Sequence, residues 1–390
     1  VTAKRVITGA ENLLNNEKRY VDGKRVGLLT NPTGRTGDLQ SVIDLCAQME
    51  SCELTALFAC EHGIRGEKQA GIRFEDERDE QWDIPVYSLY GERKKPTAEM
   101  LGEVDAVLFD IQDLGLRFYT YLSTLIYTME ACAENGKELI VLDRPNPLGG
   151  ERCEGGLLTP GMESMVGAWA MPIRTGLTIG EFARLVNDGL PKKCDLVVVP
   201  LENWNRAMDY TDTGLPWILP SPNIPTLDTA RVYPGTCFFE GTRLSEGRGT
   251  TKPFEQIGAP WVDAERLAKA LEANQLPGVR FCPVYFTPTF SKHQGELCAG
   301  VQLFVTDKES FRPVETGLHL LREVMRLHPD HFEWLPPRAE GGRPFIDLLT
   351  GSTRVKTELG EPGGLEQIVE EWNTEALEWQ NNSRTYWIYT

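Results

Sequence analysis

Leu54-Thr-Ala-Leu-Phe-Ala-Cys60-Glu61-His62-Gly63-Ile-Arg65-Gly66 is the stretch on which the fold turns. Its apolar run, 54–59, reads as a buried strand. The run ends directly on Glu61, and glycines at Gly63, Gly66 and Gly71 punctuate the loop that follows. In open α/β sheets, ligands bind in the crevice outside the carboxyl ends of the strands. An acid delivered there is placed for chemistry. Ala106-Val-Leu-Phe-Asp110-Ile-Gln-Asp113 and Leu139-Ile-Val-Leu-Asp143-Arg-Pro-Asn146 repeat the pattern. Strand ends that converge carboxylates suggest an acid/base enzyme more than a binding module.

Short apolar runs alternate with helical patterns from residue 25 to about 200. The expected strands are 25–30, 54–60, 86–89, 106–109, 139–142 and 196–199. Expected helices include 38–48 and 120–135, the second closed by Gly136 as a left-handed cap. Thr178 and Glu181 have the spacing of a capping box. The alternation predicts an α/β fold, a Rossmann-like parallel sheet covered on both faces. From Trp204 to Lys252 the chain is rich in Pro, Gly and aromatics and reads as irregular. After about 253, helical patterns at 262–273 and 314–328 and strands at 279–287 and 300–306 predict a smaller α+β domain. The expected division is 1–250 for the Rossmann-like catalytic domain and 251–390 for a domain that closes the cleft.

A net charge of −17 argues against non-specific nucleic-acid binding, which needs a basic surface. No apolar run approaches the length of a membrane span. Nine cysteines are scattered with no C-x-x-C pair, so no zinc site is expected. They do not decide the compartment. The G-x-G-x-x-G, P-loop and G-x-S-x-G signatures are all missing. His62 is the only histidine near the acids, and a metal site would need clustered ligands.

Three constellations could carry chemistry. Glu61 is a general-acid candidate, since a strand end beside an apolar run can desolvate a carboxyl; its bland alternative is a turn cap or an ion pair with Arg65. The segment Asp110-Ile-Gln-Asp113-Leu-Gly-Leu-Arg117-Phe-Tyr119-Thr-Tyr121 gathers acids, an arginine and tyrosines at a strand-to-helix junction. Arginine offers bidentate carboxylate recognition and tyrosine a stacking face with a hydroxyl. A loop-holding Asp–Arg bridge explains the segment equally well. The loop Glu240-Gly-Thr-Arg-Leu-Ser-Glu246-Gly-Arg248-Gly-Thr250 can bring backbone N–H groups to an anion, or serve as a hinge.

Together these stretches resemble the exo-β-N-acetylmuramidase family, long catalogued only as a domain of unknown function. The resemblance rests on Thr30-Asn-Pro-Thr-Gly, Glu61-His-Gly-Ile-Arg-Gly, Phe109-Asp-Ile-Gln-Asp113, Arg117-Phe-Tyr-Thr-Tyr121, Leu142-Asp-Arg-Pro-Asn146-Pro, Pro220-Ser-Pro-Asn223 and 240–250. It runs from about residue 5 to the aromatic C-terminus. One departure is Glu154-Gly155-Gly156, where the family pattern has Glu-Gly-Pro.

The resemblance implies a cofactor-independent glycoside hydrolase that releases terminal N-acetylmuramic acid from the non-reducing end of peptidoglycan-derived glycans (MurNAc-GlcNAc), as in cell-wall recycling. It implies an active site between the two domains. It also implies an exported protein, periplasmic or secreted and either free or lipid-anchored, which favours reading Val1 as following a removed leader over reading it as an arbitrary chain boundary. Glu61 falls on the catalytic acid/base. Asp113 is the first choice for a second carboxylate, with Glu246 and Asp110 behind it. The lactyl carboxylate of muramic acid calls for a cation, Arg65, Arg117 or Arg248. His62, Asp110, Tyr119, Tyr121, Asn146 and Asn223 are expected to contact substrate. A carboxyl separation of roughly 5 Å would give retention and roughly 6.5–9.5 Å inversion. A substrate-assisted route through the acetamide would need Glu61 alone. The alternatives are a non-catalytic binder of cell-wall glycans, motivated by Trp204, Tyr210, Trp217 and Tyr233, and a nucleotide-dependent enzyme, which the missing glycine fingerprint disfavours.

Overall fold

The computed structural model describes residues 4–66, 75–91 and 93–390. Gly71 and Val1 lie outside them. The larger sheet contains β1 (Lys24–Thr30), β2 (Cys52–Ala59), β3 (Glu77–Asp79), β4 (Ile84–Ser88), β5 (Ala106–Asp110), β6 (Glu138–Leu142) and β7 (Asp195–Val199). Their order is β3-β4-β2-β1-β5-β6-β7. All pairs are parallel except β3 with β4. Without β3 this is the 3-2-1-4-5-6 arrangement of doubly wound sheets, with the switch point between β1 and β5. Strands β1, β2, β5 and β6 are apolar on both faces and buried, as a helix-covered parallel sheet requires. Every expected strand forms within two residues of its expected ends. Two strands are additions: β3, a short charged strand at the edge that carries no hydrophobic signal, and Gln256–Ala259 in the second sheet.

Local signals set the helices. Thr120 precedes the helix Tyr121–Asn135, which Gly136 ends at φ 64°. Thr178 and Glu181 form the expected capping box on Ile179–Gly189. The first expected helix is shorter than its pattern, Val42–Ala47, because Ser41 caps it by accepting from the Asp44 N–H. The stretch read as irregular contains a helix, Leu227–Thr236, despite Pro234. Thr226 caps it, and Gly235 lets it approach Pro313–Leu327 so closely that a Cβ would meet the Pro313 carbonyl. Packing outweighs the proline there.

A second sheet is antiparallel: β8 (Gln256–Ala259), β9 (Val279–Phe286) and β10 (Cys298–Val305), in the order β8-β10-β9. The helices Ala264–Ala273 and Pro313–Leu327 accompany it. One continuous core cluster joins this part to the larger sheet through Phe238, Phe254 and Trp372. The C-terminal helix Gly364–Ser383 leads back to the larger sheet, where the Tyr389 hydroxyl donates to Asp143 at 2.6 Å.

Candidate active site

A cavity of about 850 Å³ opens beside the segments that leave β2 and β5. That size suits a small ligand. Glu61 and His62 come from the turn after β2, and Phe118 to Tyr121 from the segment between β5 and its helix. Asn223, Tyr233, Glu240 and Arg248 come from the proline- and glycine-rich middle of the chain. Phe290, Arg338 and Phe345 close it from the C-terminal part.

Glu61 is half-buried, and Thr120 Oγ1 donates to its Oε2 at 3.1 Å. The helix start after β5 thus orients the carboxyl at the end of β2. His62 is buried at φ 77°, a left-handed conformation unusual for a residue with a side chain. Such conformations persist where the surroundings impose them, and they gather at functional sites. Gly66, at φ 75°, lies against Pro32, where a Cβ would clash.

Buried aromatic rings form the floor. Tyr119 meets Tyr121 and Tyr233 edge-on at 5.1 and 5.9 Å, and Phe118 meets Tyr233 at 5.6 Å. The Tyr121 hydroxyl donates to the Pro220 carbonyl. Burial pushes both Tyr119 and Tyr121 well above the ordinary tyrosine pKa, so their hydroxyls stay protonated. The Cys237 thiol is likewise raised well above its usual value by burial, which removes it as a thiolate nucleophile.

Glu240 is the acid that the sequence reading did not assign. Arg248 Nη2 donates to its Oε1 at 3.0 Å. Arg248 also pairs with Glu246 at 3.3 Å, and Lys292 donates to the other oxygen of Glu246 at 2.8 Å. Burial opposes the charge on Arg248, but Glu240 and Glu246 outweigh it and raise its pKa. Glu240 heads the 240–250 motif, and that position was its only sequence signal.

Of the expected site residues, Glu61, His62, Tyr119, Tyr121, Asn223 and Arg248 line the cavity. The structure assigns the others different work. Asp110 is fully buried and holds Arg144 through bonds of 2.6 and 2.9 Å. Asn146 donates to Leu177 O at 2.8 Å and accepts from Leu148 N at 3.0 Å, fixing a loop. Arg65 pairs with Asp79 at 2.7 Å away from the lining. Arg117 is fully buried, donating to the carbonyls of Gly156, Met171 and Leu349. Glu246 sits behind Arg248, not on the wall. Asp143 accepts from Thr178, Gly180 and Tyr389. The strand-end acids therefore do not converge: Glu61 reaches the cavity, while Asp110, Asp113 and Asp143 are buried inside the protein. Trp204 packs edge-on against Tyr389, and Tyr210 against Trp217. Of the four aromatics that suggested a binding surface, Tyr233 is the one on the cavity wall.

Asp113 is fully buried near backbone N–H groups, and desolvation outweighs their donation and pushes its pKa up to about 8. An unfolded aspartate titrates near 3.9. The folded state therefore holds a proton that the unfolded state has released between about pH 4 and 8. This contribution to stability is fully present below about pH 4 and is lost as pH rises towards 8. Asp113→Asn cannot ionise. The wild type is expected to lose stability relative to this variant between pH 5 and 8, as read by urea unfolding. Parallel pH curves for the two proteins would show that Asp113 does not titrate in this window.

Among the described residues no group of three His, Cys, Asp or Glu could hold a metal ion, and no helix is long and apolar enough to cross a membrane. A family model described as exo-beta-N-acetylmuramidase NamZ, N-terminal, matches residues 26–228, and its C-terminal counterpart matches 231–389. The peptidoglycan beta-N-acetylmuramidase NamZ of Bacillus subtilis (strain 168) is 47% identical over 390 residues, covering 100% of this chain and 93% of that protein. Two solved DUF1343 family proteins of Bacteroides fragilis NCTC 9343 share the fold. One has a TM-score of 0.91 at 38% identity, with 99% of both chains covered. The other has a TM-score of 0.76 at 29% identity, again with 99% of both chains covered.

Proposed function

The chain belongs to the exo-beta-N-acetylmuramidase NamZ family, and from that premise we propose that it releases terminal N-acetylmuramic acid from the non-reducing end of peptidoglycan fragments. One observation carries the reading. Two carboxyl side chains, Glu61 and Glu240, share the wall of a cavity floored by buried aromatic rings. Such a floor admits a chain end and stops a glycan from running through, which suits exo action.

In this proposal Glu61 protonates the glycosidic oxygen as the bond to the anomeric carbon breaks. Glu240 replaces Asp113, Glu246 and Asp110 as the companion carboxylate, because it lines the cavity and those three do not. Two flanking carboxyls are the usual apparatus of glycoside hydrolysis. The reaction balances with water alone and calls on no cofactor. Thr120 aims Glu61, and Arg248 fixes Glu240.

Para-nitrophenyl N-acetyl-β-muramide tests this, with the matching glucosaminide as control. Nitrophenol release from the muramide and not from the glucosaminide is expected. Saturable muropeptide binding with no turnover of either glycoside, or of a MurNAc-GlcNAc disaccharide, would replace the hydrolase with a glycan-binding protein.

A further inference from the structure

Muramic acid differs from glucosamine by a lactyl ether that ends in a carboxylate, and a pocket selective for it needs a cation with donors to spare. Resting on the muramidase reading above, we propose that Arg338 recognises the lactyl carboxylate. Arg248 is committed to Glu240 and Glu246. Lys292 behind it donates to Glu246 and to the carbonyls of Phe239 and Leu244. Arg117 is spent on three carbonyls and Arg65 on Asp79.

Arg338 lines the cavity, and among the described residues it makes no ion pair. Its guanidinium carbon lies 4.6 Å from the centroid of the Phe345 ring, which also lines the cavity. A cation–π contact restrains a guanidinium without using its N–H donors, which leaves them for a bidentate carboxylate. The backbone supports this placement. Pro336 and Pro337 precede Arg338 and restrict the chain. Leu335 N donates to Gly241 O at 2.9 Å, and Trp334 bridges Thr242. The loop is thus tied to the residues that follow Glu240. An exposed arginine fixed in this way can meet a charged substituent that projects towards the rim while the sugar ring occupies the aromatic floor.

The test compares wild type, Arg338→Ala and Arg338→Lys. Binding of N-acetylmuramic acid and N-acetylglucosamine is measured by calorimetry, alongside turnover of the two nitrophenyl glycosides. A charge-assisted bidentate contact predicts a roughly 10- to 100-fold loss in affinity for N-acetylmuramic acid, and in kcat/KM on the muramide, for Arg338→Ala. The change falls in KM. Affinity for N-acetylglucosamine stays constant, and Arg338→Lys recovers part of the loss. Binding and turnover separate the two claims. A wild type that prefers N-acetylmuramic acid through Arg338 but turns over neither glycoside sinks the hydrolase reading and leaves this assignment standing. An Arg338→Ala protein that keeps the wild-type preference, or a wild type with no preference to lose, overturns the assignment.

Discussion

Glu61→Gln is expected to lower kcat on a MurNAc-GlcNAc disaccharide by about 10²- to 10⁴-fold, the usual contribution of a positioned acid/base, with KM little changed. Glutamine preserves the shape and can still meet the Thr120 hydroxyl that donates to Oε2, so the fold should stand. The informative comparison is between leaving groups. Nitrophenolate departs with little help from an acid, whereas a sugar hydroxyl needs a proton. A general acid at Glu61 therefore predicts a smaller loss on the nitrophenyl muramide than on the disaccharide. Glu240→Gln should impair both substrates alike, since a base or nucleophile acts on the other side of the anomeric carbon. Equal losses for Glu61→Gln on the two substrates would exchange the roles. A folded Glu61→Gln protein with wild-type rates would remove Glu61 from the chemistry.

The second large effect concerns stability. Arg117→Met is expected to destabilise the protein by about 3–5 kcal/mol. Arg117 is fully buried, and its guanidinium satisfies the carbonyls of Gly156, Met171 and Leu349. Methionine fills much of the space but leaves those acceptors without donors, and each orphaned group costs about 1–3 kcal/mol. The bond to Leu349 O joins the segment after β5 to the helix Phe345–Thr350, whose Phe345 and Leu349 line the cavity. A thermal melt of Arg117→Met should show the loss directly. A substrate contact would behave in the opposite way, with an unchanged melt and a raised KM.

Arg117 stands in a dense run of acids and tyrosines and looks like a ligand-binding arginine, yet its surroundings are protein carbonyls. Arg338 follows two prolines in a stretch with no chemical pattern, yet it reaches the cavity. Which groups surround a side chain depends on segments far away in sequence. Leu349 lies 232 residues from Arg117. Glu240 and Glu61 likewise come from separate parts of the chain. The four acids Glu61, Asp110, Asp113 and Asp143 look alike in sequence, since each follows an apolar strand. Arg144 covers Asp110, and Tyr389 from the far end of the chain covers Asp143.

Short-range physics was enough for the framework. Apolar runs of strand length, the cap at Gly136 and the Thr178–Glu181 box each act through neighbouring residues, so local patterns fixed the parallel sheet, the helices Tyr121–Asn135 and Ile179–Gly189, and the position of Glu61 at a strand end. The sequence by itself also determined the family, because several motifs recur in order. The helix Leu227–Thr236 escaped because its decisive interaction is the close approach of Gly235 to Pro313, not its own propensity. Which carboxyls and cations face the cavity, and which are spent inside the protein, depends on the folded whole. Burial and hydrogen-bond pairing are properties of the packed whole, set by residues distant along the chain, and no local pattern encodes them.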